Sequence, residues 1–204
     1  MTVGKRLFDI VLALILAVLL LPLILVLALI LLLREGRPVL FLSERMRAPD
    51  RGFQLVKFRT MTPDASDGGA SGGHKAMRIT RTGHLLRRTR LDEMPQLWNI
   101  LMGDMSFVGP RPPLRRYVER FPETYGAVLR NRPGVTGLAT LRFHAHEDLL
   151  MSSCRSTEEA ERIYCQRCVP RKAHLDLIYQ ENSNLCFDLK ILFQTVTAML
   201  HRSG

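Results

Sequence analysis

The chain has 204 residues, enough for one compact domain and one further segment but short for a second independent catalytic domain. Its 29 Lys and Arg against 19 Asp and Glu leave a net charge of +10, which favours an anionic partner such as acidic lipid, nucleic acid or a nucleotide diphosphate. Four cysteines without a cleavable leader argue against a disulfide framework, and a single C-x-x-C, Cys165 to Cys168, falls short of a zinc quartet.

Residues 7–33 form an almost unbroken apolar run. As one straight helix it would measure about 40 Å, more than the roughly 30 Å of a bilayer's hydrocarbon core. Pro22 lies near its middle, where the missing N–H and the ring's clash with the preceding turn predict a kink or break. Lys5 and Arg6 precede the run and Arg34 and Arg37 follow it. Basic flanks favour the cytoplasmic side, so the chain is best satisfied by entering and leaving through one face. The residues alone leave two readings open, a kinked spanning anchor and a re-entrant hairpin.

Beyond it, residues 39–42 and 53–58 read as short strands of a hairpin, separated by the turn formers of residues 48–52. Residues 62–75, rich in Gly, Ser and Asp, are expected to form a flexible loop. Residues 82–90 have helical character. Asp92 and Glu93 then precede Pro95 and the apolar turn of Leu97, Trp98, Ile100 and Leu101, which Gly103 ends.

Asp92 has a plain reading as a helix cap. That reading leaves unexplained Arg87, Arg88 and Arg90 just upstream and Arg111 held between prolines downstream. Cations of this kind are expected to lower the pKa of Asp92 and to neutralise a phosphate that it attacks. Proline fixes backbone torsion, so Arg111 has little entropy left to lose on binding. His144 and His146 are expected to be solvated rather than metal-bound. Residues 185–200 place Leu185, Leu189, Leu192, Val196 and Leu200 at helical spacing, fitting a helix on the bilayer or on the core.

An ordered set of motifs carries a resemblance: Lys57-Phe58-Arg59-Thr60-Met61, Arg78-Ile79-Thr80-Arg81-Thr82-Gly83, Leu91-Asp92-Glu93-Met94-Pro95-Gln96-Leu97 and Gly103-Asp104-Met105-Ser106-Phe107-Val108-Gly109-Pro110-Arg111-Pro112. With Lys5-Arg6 and Asp9 before them and Arg132-Pro133-Gly134-Val135-Thr136-Gly137 and Asp188-Leu189-Lys190 after, they cover almost the whole chain. The sequence resembles the bacterial sugar transferases, the monotopic phosphoglycosyl transferases, at the size of their minimal catalytic unit. The resemblance implies transfer of a sugar 1-phosphate from a UDP-sugar to polyprenyl phosphate with release of UMP, through a covalent phosphosugar on Asp92. It implies Glu93 as a base or a magnesium ligand beside Asp92, Mg²⁺ as cofactor, and Lys57, Arg59, Arg87 and Arg111 as substrate contacts. It also implies a re-entrant helix broken at a Ser-Pro pair, for which this chain has Leu21-Pro22.

The fold expected is α+β and mainly α. Residues 1–36 would form a helix-break-helix hairpin in the membrane, and residues 37–204 a compact catalytic domain with a short β-hairpin and interfacial amphipathic helices. The expected location is the cytoplasmic face of the bacterial inner membrane. A rival reading, a membrane-tethered basic protein binding nucleic acid or acidic lipid, finds no nucleic-acid motif or aromatic stacking platform in the sequence.

Overall fold

The computed structural model describes residues 1–62, 78–154 and 156–203. The loop expected over residues 62–75 therefore lies, apart from Thr62, outside the described residues. Helix α1 runs from Val3 to Glu35, opened by Thr2, whose hydroxyl accepts from the Lys5 amide at 3.3 Å. It closes on Gly36, whose φ of 72° suits a residue without Cβ and whose N–H reaches the Leu32 carbonyl. The break expected at Pro22 is not seen as an interruption, since α1 is continuous through it.

What α1 touches is uneven along its length. Leu12, Ala13 and Leu16 pack on the main core with Phe53, Leu55, Ile100, Met105 and Phe107, while Ile24, Leu27, Ala28 and Leu31 pack on Phe58 and Leu86. Between these two contacts Val18, Leu19 and Leu21 stand exposed. Both limbs thus lean on the same body, and the middle around Pro22 has apolar side chains with no protein cover.

The two ends are pinned by reciprocal arginines. Arg6 of α1 donates to the carbonyls of Ile100 and Leu101 at 2.6 and 2.8 Å, and Arg59 of the body donates to those of Glu35 and Gly36 at 2.6 and 2.9 Å. Carbonyls at a helix end lack intrahelical donors, so a guanidinium there meets both a hydrogen-bonding need and the negative end of the dipole. Asp9 is fully buried and accepts from the Phe107 amide, and Lys5 pairs with Asp188, which also accepts from Tyr179 at 2.6 Å.

Strands β1 (Leu40–Ala48) and β2 (Arg51–Phe58) form the expected antiparallel hairpin, with Phe41 opposite Lys57 and Arg45 opposite Phe53. β1 is longer than its apolar start foretold, because paired backbone carries it through Glu44, Arg45 and Met46 and, past a bulge at Arg47, to Ala48. Phe53 and Leu55 point into the core while Gln54 is exposed, the alternation of a sheet with one buried face. Asn99 docks this hairpin: its side chain accepts from the Val56 amide at 3.0 Å and donates to the Gln54 carbonyl at 2.8 Å.

Helix α2 (Arg81–Arg88) is capped by Thr80 and leads to a 3₁₀ turn (Leu91–Gln96) that runs into α3 (Leu97–Met102). α2 approaches the strand so closely that a Cβ at Gly83 would lie 2.1 Å from the Thr60 carbonyl oxygen. Next come β3 (Ser106–Val108), α4 (Arg115–Arg120), α5 (Pro122–Val128) and β4 (Gly134–Thr136), with β4 pairing parallel to β3. Gly134 rides against Gly109, where a Cβ would fall 2.2 Å from the Gly109 nitrogen, and this contact fixes the start of the Pro110-Arg111-Pro112 loop. Helices α6 (Leu138–Ser152), α7 (Thr157–Ile163), α8 (Val169–Glu181) and α9 (Leu185–Ser203) complete the body, with a π-helical turn (Tyr164–Cys168) between α7 and α8. The described fold is mainly helical with two small two-stranded sheets.

On α9 the exposed apolar stripe is Leu185, Leu189, Phe193 and Val196, while Ile191 is fully buried. Leu192, expected in that stripe, packs instead against the main core.

Candidate active site

Three elements meet at one point. β2 supplies Lys57, the 3₁₀ turn supplies Asp92 and Glu93, and the loop after β3 supplies Arg111. The turn is set by Arg90, a non-glycine residue with φ 55°, so the chain reverses sharply between α2 and Leu91. That conformation is costly for a side-chain-bearing residue, and Arg90 is held in it by an ion pair to Glu93 at 3.4 Å.

Glu93 is the hub. Its Oε1 lies 3.3 Å from Lys57 Nζ and 3.3 Å from Arg111 Nη2, and its Oε2 faces Arg90. Burial alone would raise its pKa, but Arg111, Lys57 and Arg90 outweigh burial and bring it down to about 2. Arg111 is held charged in return, chiefly by Glu93, with Glu147 of α6 and Tyr164 adding to it. Behind them Lys172 of α8 bonds both Glu147 oxygens at 3.0 and 3.1 Å.

Asp92 differs from its neighbour. It is 8% exposed, and among the described residues no cation stands within ion-pair distance of it. Burial raises its pKa, Glu93 raises it further, and Lys57 and Arg87 only partly offset the two. The expectation that the arginines would lower this carboxylate's pKa is therefore corrected: the nearby cations are taken up by Glu93. Lys57 itself is drawn down to about 8 by burial and by Arg111, against the pull of Glu93 and Asp92.

The remaining candidates divide. Arg87 turns toward the site from α2, its Nε held 2.8 Å from the Thr60 hydroxyl. Arg59 is committed to the end of α1, with its guanidinium on the Glu35 and Gly36 carbonyls. Sequence reasoning overlooked Glu147, Lys172 and Tyr164, which lie far along the chain and carry no motif, and Arg45, whose signal is a charged residue at an inward-facing strand position.

Mg²⁺ fits this donor set in part. Both Glu93 oxygens already face cations, so Glu93 is a poor ligand, whereas Asp92 has carboxylate oxygen to give. Among the described residues no three His, Cys, Asp or Glu side chains converge. One carboxylate completed by substrate phosphates and water is the manner in which Mg²⁺ is commonly held, in contrast to an all-protein cage. His144 pairs with Asp148 at 3.3 Å, one helical turn further along α6.

The sequence profile of the bacterial sugar transferases matches residues 1–202. An uncharacterized sugar transferase, EpsL, of Bacillus subtilis is 35% identical over 98% of this chain and 89% of its own length. The UDP-glucose:undecaprenyl-phosphate glucose-1-phosphate transferase of Caulobacter vibrioides is 38% identical over 96% of this chain and 69% of its own. The exopolysaccharide production protein PSS of Rhizobium leguminosarum is 37% identical over 97% and 96%. A match that covers nearly every residue, with relatives 35 to 38% identical over almost the whole chain, shows that this chain belongs to the bacterial sugar transferase family.

Proposed function

We propose that the protein transfers a sugar 1-phosphate from a UDP-sugar to polyprenyl phosphate and releases UMP, with Asp92 as the nucleophile. The observation that carries the reading is the division between two adjacent acids: Glu93 gathers three cations, and Asp92 is left with carboxylate oxygen to attack. In the first half-reaction an Asp92 oxygen forms a bond to the phosphorus bearing the sugar, and the bond from that phosphorus to the bridging oxygen breaks with its electron pair leaving on UMP. In the second, a polyprenyl phosphate oxygen attacks the same phosphorus and Asp92 departs. Lys57 and Arg87 offset charge on the transferred phosphoryl, and Arg111 presents a further guanidinium. Bound Mg²⁺, held by Asp92 and the donor's diphosphate, would supply a hard cation for the phosphate oxygens.

The membrane geometry belongs to the same proposal. Residues 1–36 enter and leave the bilayer through one face, because α1 packs on a single body at both ends and exposes apolar side chains between them. The exposed stripe of α9 lies on the bilayer at headgroup level, so residues 37–204 sit on the cytoplasmic face and a soluble donor and a lipid acceptor meet over Asp92. Cysteines placed at Thr2 and at Arg37 should both react with an impermeant thiol reagent from the cytoplasmic side only, and opposite-side labelling contradicts re-entry.

The activity is tested by incubating the protein in lipid nanodiscs with undecaprenyl phosphate, Mg²⁺ and a panel of UDP-hexoses and N-acetylated UDP-hexoses. UMP release from at least one donor is expected, and resemblance to the minimal members favours an N-acetylated sugar. No release from any donor contradicts the reading.

A further inference from the structure

The inward face of the β1–β2 hairpin carries a second cation besides Lys57. Arg45, opposite Phe53, faces the same way as Phe41 and Lys57, four pairs along the ladder. Its Nη1 donates to the carbonyl of Pro112, the residue after Arg111, at 3.3 Å. Its Nε is sealed from solvent and has no hydrogen-bond partner among the described residues. Among the described residues no carboxylate stands within ion-pair distance of it, since Glu93 is shared by Lys57, Arg90 and Arg111. Burial, with Arg111 beside it, pulls the Arg45 guanidinium down to about 10. Two neighbouring guanidiniums, of which only Arg111 has a carboxylate and that one already shared with Lys57 and Arg90, form a costly arrangement unless an anion completes it.

Position decides which anion. Lys57 stands against Glu93, the neighbour of Asp92, whereas Arg45 lies four pairs further along the same face and holds the Arg111 loop through the Pro112 carbonyl. In an in-line displacement the attacking and leaving oxygens lie on opposite sides of the phosphorus, so the cations nearest the nucleophile serve the transferred phosphoryl and those beyond serve the leaving group. We propose that Arg45, together with Arg111, binds the phosphate of the departing nucleoside monophosphate. As the bond between the sugar-bearing phosphorus and the bridging oxygen breaks, the electron pair goes to that phosphate, and the unused Arg45 donors meet the charge that develops there.

This rests on the phosphoglycosyl-transfer reading, and the test separates the two. Arg45→Met and Arg45→Lys are assayed in nanodiscs beside the parent protein for product inhibition by UMP, for kcat/KM of the UDP-sugar and of polyprenyl phosphate, and for the thermal midpoint. In Arg45→Met, UMP inhibition is expected to weaken about tenfold or more and donor kcat/KM to fall at least as far, with Arg45→Lys in between. Acceptor kcat/KM stays within about twofold and the midpoint does not fall, because an uncompensated cation has been removed. Unaltered UMP inhibition, or equal losses for donor and acceptor with a lowered midpoint, overturns the assignment. A parent protein that releases no UMP contradicts the transfer reaction itself.

Discussion

Lys57 Nζ lies 3.3 Å from Glu93 Oε1, and this contact joins the hairpin to the turn that bears Asp92. Glu93 is thereby an electrostatic organiser. It keeps three cations in register and, by its own charge, raises the pKa of Asp92.

Glu93→Gln removes that charge. Asp92 ionises more readily as a result, so the acid limb of kcat/KM against pH moves to lower pH. The maximal rate falls by about tenfold to a thousandfold, because Lys57, Arg90 and Arg111 lose their common partner. A pH–rate profile of the variant checks both, and an unmoved acid limb contradicts the coupling of the two acids.

Lys57 gives the alkaline limb. Its pKa of about 8 means that its charge is lost as pH rises through that value, so donor kcat/KM declines above about pH 8. The sign follows from depression by burial and Arg111: the free enzyme releases this proton earlier than an ordinary lysine. Lys57→Arg keeps its charge across the range, and its profile should stay level where that of the parent falls.

Arg59 separates a structural from a substrate role. Its bonds to Glu35 and Gly36 predict that Arg59→Met loses about 1.5–3 kcal/mol of stability, seen as a lowered thermal midpoint, with donor KM little changed in the protein that remains folded. A raised donor KM at unchanged stability would show that it contacts phosphate after all.

Asp176 predicts a stability effect away from the site. Its carboxyl is buried in α8 with Oδ1 unpartnered among the described residues, and burial pushes its pKa up to about 7. A folded-state pKa above the unfolded one means that stability is fully present below about pH 4 and is lost as pH rises toward 7. Asp176→Asn therefore stabilises at pH 8, by about 4 kcal/mol at most, and has little effect at pH 4. Equal midpoints of parent and variant at pH 8 contradict this.

Much of the site was legible because its residues are local or motif-bound. The pair Asp92-Glu93 and the proline-held Arg111 could be read from the residues, Lys57 only through the resemblance, and the hairpin and α9 from their patterning. Which acid gathers the cations could not, since it depends on the positive φ of Arg90 and on where β2 sits against the turn. The bonds of Arg59 could not be read either: its neighbours in sequence are those of a site residue, while its partners are the last carbonyls of α1. The β3–β4 ladder escaped notice because three-residue strands 28 positions apart, Ser106 against Gly134, leave no periodicity to read. Continuity of α1 through Pro22 was hidden by a rule that weighs the lost backbone bond without its packing at both ends.

On the proposed function, Asp92 makes and breaks a bond to phosphorus. Parent protein and Asp92→Asn are each incubated with a UDP-sugar radiolabelled in the sugar, without lipid acceptor, then denatured and separated from free donor. Stoichiometric label is expected on the parent, discharged by polyprenyl phosphate when that is supplied before denaturation, and none on the variant. Label retained by Asp92→Asn, or a parent that turns over without ever carrying label, contradicts it.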